Sequence, residues 1–166
     1  MRLLKSITAS MAWVACSVFA QFAADNPDWK ETEVPPPPAF STSKLVALDR
    51  GPTTSLNFGV DPATLAISKD GIVRYVIVAS NASGAMNAMY EGIRCATGEF
   101  KTYARSTTVG KWNAVQDPQW RSMYDNMPSR HALVLARQGV CNGRAPASSV
   151  EAIVRKLKYP RRSESP

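Results

Sequence analysis

Three hydrophobic patterns follow one another along the chain. Ile7 to Ala20 is an uncharged, mostly apolar stretch behind the basic residues Arg2 and Lys5. From Lys44 to Gly110, short runs of β-branched and aromatic residues alternate with Gly, Pro, Asn and Asp, the pattern of antiparallel strands and turns. Lys44–Asp49 and Leu56–Val60 are short expected strands, and Ile72–Ala79 is the strongest, dense in Val and Ile and apolar on both faces except at Arg74. It predicts a central strand with a helix on one side. Lys69-Asp70-Gly71 reads as a tight hairpin and Asn81–Gly84 as the next turn. Ala85–Cys95 then returns, with Gly92 marking a bulge or a close approach, and Phe100–Arg105 follows. Beyond Pro118 the spacing turns helical. Ser129–Gln138 is bounded by Pro128 and Gly139. In the last segment Val150, Ile153, Val154 and Leu157 recur on one helical face behind a Ser148/Glu151 capping box, and Pro160 stops it.

The apolar start reads as a secretory signal peptide over residues 1–20, with Val18 and Ala20 compact enough for cleavage after Ala20. A lipoprotein route through Cys16 is the alternative, although Trp13-Val14-Ala15 fits it poorly. The expected location is therefore periplasmic or secreted. Residues 21–43 form a leader whose run Pro35–Pro38 favours polyproline II and reads as a spacer, with Trp29 tucked against the domain. Residues 44–159 are expected to be one domain, and 160–166 a basic tail. The net charge of +7 is concentrated late: Arg144–Pro166 carries six basic residues against two acids. That end could meet an envelope protein or an anionic envelope surface, whereas nucleic acid is not an expected partner of an exported chain. Cleavage leaves Cys95 and Cys141 as the mature thiols, which an oxidising compartment would join.

Catalytic signatures are sparse. His131 is the only histidine, no G-x-S-x-G element presents a serine, and no phosphate loop, dinucleotide glycine pattern or metal-ligand spacing occurs. No cofactor and no metal are expected. Two segments could build a recognition patch: Tyr90, Glu91 and Arg94 around Gly92, and Trp120, Arg121, Arg130 and His131, with Trp112 and Tyr124 nearby.

Val60–Leu65, Asp70–Tyr75, Ser83–Ala85, Tyr90-Glu91-Gly92-Ile93-Arg94-Cys95, Lys101–Ala104, Arg130-His131 and the late Cys141 together resemble the cryptic neisserial protein-like family. That family comprises small exported beta-proteobacterial proteins with a domain of unknown function. The resemblance implies a Gram-negative envelope location and brings no catalytic residues with it. The expected fold is α+β: an antiparallel sheet of about five strands packed by one or two helices and closed by one disulfide. The expected role is a non-catalytic binding or interaction domain. Two alternatives stand beside it: a cell-wall or lipid hydrolase using His131 or Glu91, and a structural lipoprotein tethered through Cys16. A concave polar pocket joining His131 and Glu91 would favour the enzyme, and an exposed aromatic–arginine patch without a pocket would favour binding.

Overall fold

The computed structural model describes residues 26–49, 54–108 and 110–160. The segment expected to be a signal peptide and the expected basic tail beyond Pro160 lie outside these residues. The chain folds into one large antiparallel sheet of eight strands, more than the five read from the sequence, with two short helices and a small two-stranded ribbon. Three long strands form its centre: β4 (Ile72–Ser80), β5 (Met86–Arg94) and β6 (Glu99–Thr108). They run as a meander with Tyr75 opposite Glu91 and Glu91 opposite Thr102. Two short strands pair in succession along the outer edge of β4, β2 (Asn57–Val60) toward its end and β3 (Ala66–Ile67) near its start. Strand β1 (Val46–Ala47) continues from β2. On the other side, β7 (Lys111–Ala114) and β8 (Arg121–Ser122) share the outer edge of β6 in the same way. The ribbon is β9 (Cys141–Asn142) with β10 (Ala145–Pro146).

The extra strands were illegible because they are two to four residues long, too short for an alternation to show. Their position comes from the edges of β4 and β6, which offer unpaired backbone groups.

One face of the sheet is covered by helix. Val73, Tyr75, Ile77, Ala79, Met89, Ile93 and Phe100 project into a core completed by Leu133, Leu135, Val140, Ile153 and Leu157. Helix α1 spans His131–Leu135, and a wider π-type turn carries the chain on through Ala136–Val140. Gly139 there holds φ 144°, and a Cβ on it would lie 2.6 Å from Lys156 Cβ, so glycine also lets the second helix approach. Helix α2 spans Val150–Lys158. Its N-cap is Ser149 rather than the expected Ser148. Ser149 is the extended residue, and its Oγ accepts the Ala152 N–H at 3.2 Å. Cys95, just past β5, is bonded to Cys141, closing a separation of 46 residues and fastening the end of the α1 segment to the sheet.

The opposite face corrects the expectation of a spacer. Residues 29–45 lie along the sheet and do the work of a missing layer: Val34, Phe40 and Leu45, with Trp112, cover Val76, Val78, Ala88, Tyr90, Tyr103 and Ala104. Trp29 anchors the strap, its indole N–H donating to the Asp70 carbonyl at 2.8 Å while the Arg94 guanidinium sits 3.7 Å from its ring centre. Glu31 is held by Arg74 at 3.3 Å, Lys101 at 2.6 Å and the Tyr103 hydroxyl at 2.6 Å. The backbone N–H and hydroxyl of Thr32 both donate to Asp70 in the β3–β4 turn, at 3.0 and 2.7 Å. A polyproline segment has no internal hydrogen bonds to lose, so it can lie over a sheet at little cost in backbone pairing.

Candidate functional site

Alternation along β5 sends Glu91 to the helical face, and its side chain is fully buried. Both cross-strand neighbours supply donors. The Tyr75 hydroxyl donates to Oε2 at 3.0 Å, and the Thr102 hydroxyl donates to Oε1 at 2.9 Å. From above the sheet His131 Nε2 reaches Oε2 at 2.8 Å. The imidazole is clamped between aromatic rings, stacked on Phe58 with centroids 5.1 Å apart and edge-on to Phe100 at 5.8 Å. On its far side Nδ1 lies 2.5 Å from Ser129 Oγ.

Burial alone would raise the Glu91 carboxyl pKa. The charge and hydrogen bond of His131, with the hydroxyls of Thr102 and Tyr75, outweigh it and hold the group below the usual carboxylate value. Tyr75 moves the other way: burial, then the neighbouring negative charge, push its hydroxyl well above its ordinary value, so it remains a donor. An ionised carboxylate only accepts, so Nε2 carries the hydrogen; in the neutral imidazole Nδ1 is then the acceptor, and Ser129 donates to it.

This chain of groups opens onto a cleft of about 430 Å³. Glu91, Thr102 and His131 lie in its lining, Ser129 is on its wall, and Phe58, Phe100 and Met127 supply apolar surface. Arg105 and Arg121, both solvent-exposed, also line it, as does Asn87, whose Oδ1 is buried without a hydrogen-bond partner. The loop between β7 and β8 forms a further wall through Val115, Asp117, Pro118 and Gln119. Asp117 takes φ 48° there, and its carboxylate accepts from Gln119 Nε2 at 2.7 Å.

A β-bulge decides who reaches the cleft. Tyr90 pairs with Ala104 but Glu91 pairs with Thr102, so Tyr103 is an extra residue on β6. Tyr103 and Ala104 consequently both pack on the strap side, and the flanking Thr102 and Arg105 both line the cleft.

The residues singled out from the sequence separate onto two faces. Glu91, His131 and Arg121 meet at the cleft. Tyr90 is buried against Tyr103 beneath the strap, Arg94 lies on Trp29, and Trp120 packs edge-on to Trp29 with Lys101 4.8 Å from its ring centre. Arg130 is exposed at the start of α1. Cys95 and Cys141 form the disulfide. Ser129, Thr102, Tyr75, Arg105 and Asn87 were not singled out. Ser129 had a visible signal in its place two residues before the only histidine, and Thr102 and Tyr75 become evident once Glu91 is placed on a strand with neighbours. At the basic end, Arg137, Arg155 and Lys156 line a second concavity with Asp49 and Tyr159. Among the described residues, no three His, Cys, Asp or Glu side chains converge to hold a metal ion.

The architecture is a mostly antiparallel sheet with a helical layer, one disulfide and a polar cleft. The profile of the CNP1-like family matches residues 24–158, nearly the whole described chain, and the protein belongs to that family. No curated protein and no solved structure matches the chain.

Proposed function

We propose that the protein is an exported cell-envelope protein whose cleft binds a small organic anion with an apolar body. The observation that carries this reading is the pairing of two exposed arginines, Arg105 and Arg121, with apolar walls in one concave site. A guanidinium fork matches a carboxylate or phosphate, and the Phe58, Phe100 and Met127 surfaces suit the rest of the molecule. The unpartnered Asn87 Oδ1 offers an acceptor for a hydroxyl or amide of the same ligand. The expected exposed aromatic patch is divided between two faces and mostly covered, which weighs against a flat protein-docking surface. The leading apolar segment and the joined cysteines support an oxidising, extracytoplasmic setting.

A thermal-shift and calorimetric screen of aliphatic dicarboxylates, aromatic carboxylates and phosphate monoesters tests the proposal. A true ligand at a hundredfold its Kd stabilises the fold by about 2.7 kcal/mol, and Arg105→Ala or Arg121→Ala removes most of that gain. An absence of shift across the panel, or a shift that both variants retain, would overturn it.

A further inference from the structure

We infer that the same cleft hydrolyses carboxylic esters of small organic acids, with Ser129 as nucleophile, His131 as base and Glu91 as the positioning residue. The inference rests on the cleft being a ligand site and adds a reaction to it. Serine is a weak nucleophile until a base takes its proton, and such a base acts best when a third group fixes its tautomer. Both conditions are met here. Ser129 Oγ is 2.5 Å from Nδ1, Nε2 is 2.8 Å from a fully buried carboxylate, and both Ser129 and His131 face the cleft. The imidazole presents Nδ1 to the serine and Nε2 to the acid. Such an arrangement is judged by geometry and role rather than by the order of residues in the chain. Phe58 and Phe100 hold the His131 ring from two sides in the orientation that makes the Glu91 bond.

The reaction balances without a further reagent. Ser129 Oγ attacks the ester carbonyl carbon as its proton passes to Nδ1. The bond to the leaving alkoxide breaks, and Nδ1 returns that proton to the departing oxygen as alcohol. Water then attacks the acyl-serine, gives its proton to Nδ1, and the acid leaves as Ser129 Oγ is reprotonated. Ester and water become acid and alcohol. Arg105 and Arg121 would favour acyl groups carrying their own negative charge, so the substrate class is a half-ester of a small dicarboxylic acid.

The test uses the full chain with its disulfide intact, p-nitrophenyl acetate, mono-p-nitrophenyl succinate and a fluorophosphonate probe. The expected result is p-nitrophenol release that favours the succinyl ester, with the phosphonate adduct mapped to Ser129. Ser129→Ala, at a half-exposed position, should fold, abolish the adduct and lower kcat roughly 10⁶-fold. Its thermal midpoint without ligand should match that of the wild type, which separates lost chemistry from a lost fold. Glu91→Gln should lower kcat at unchanged KM, a separation that a merely structural role would not give. Turnover that survives Ser129→Ala, or an adduct at another serine, overturns the inference. So does a wild-type chain that binds organic anions but neither hydrolyses nor reacts; that outcome leaves the binding proposal standing. Failure to bind any anion strikes the binding proposal itself.

Discussion

The two faces of the sheet each bury a carboxylate-centred network, and they solve the problem differently. Under the strap, Glu31 meets two permanent cations, Arg74 and Lys101, and the Tyr103 hydroxyl. The charges there are matched and the network is enclosed by the chain's own leader. On the helical face, Glu91 meets two hydroxyls and one imidazole, and that imidazole continues to a serine at the wall of an open cleft. A carboxylate paired with arginine and lysine is a clamp, since neither cation gives up its proton near neutral pH. A carboxylate paired with histidine can pass the effect of its charge onward, because the ring can gain or lose a proton at its other nitrogen. Within one sheet the same side-chain type thus meets fixed cations on one face and a titratable ring on the other.

The largest expected effect breaks the cover of the helical face. Replacing Cys95 and Cys141 together with Ala opens the closed loop of 46 residues and should cost about 4 kcal/mol on the chain-entropy estimate. Denaturant midpoints of the two forms measure it. If the disulfide positions His131 as well as closing the loop, anion binding weakens even under conditions where the variant is fully folded.

A smaller effect isolates the strap face. A Cβ on Gly92 would lie 2.6 Å from Tyr103 Oη and 2.8 Å from Ile72 Cγ2. Gly92→Ala should therefore push Tyr103 off Glu31 and cost about 1–3 kcal/mol, read by urea unfolding. Hydrogen exchange should quicken in residues 29–34 and leave α1 unchanged.

The smallest effect distinguishes the faces by acid. Glu91 is held below the usual carboxylate value in spite of burial, chiefly by His131 and its hydroxyl partners. Asp70 is depressed as well; burial opposes this, and hydrogen bonds from Thr32, Ser68 and Arg74 prevail. Both groups have folded-state values beneath their unfolded ones. Each thus contributes stability that is present above about pH 4.5 and lost as pH falls through the folded value. Thermal midpoints should be level from neutrality to about pH 5 and then decline. Glu91→Gln and Asp70→Asn should each flatten part of that decline, and a decline unchanged by both would contradict the assignment.

The long strands were legible because β-branched density and period-two alternation survive in nine or ten residues. The strap was not, because polyproline carries no periodicity that says which surface it touches. The N-cap slipped by one because Ser148 and Ser149 are adjacent and only backbone conformation chooses between them. At the site, Glu91 and His131 were legible as residue types, yet 40 positions separate them and only the fold shows them to be partners. Tyr75 and Thr102 depend on strand register, which no local pattern specifies across two hairpins. Arg105 depends on the bulge as well.

That extra residue at Tyr103 sets the face on which Arg105 emerges. Were Tyr103 paired regularly instead, alternation from Thr102 would put Ala104 in the cleft and Arg105 on the strap side. Deleting one position between Thr102 and Arg105, by contrast, would straighten the strand and keep both in the cleft. The make-up of the cleft wall thus depends on where β6 breaks its regular pairing as much as on the identities of its residues.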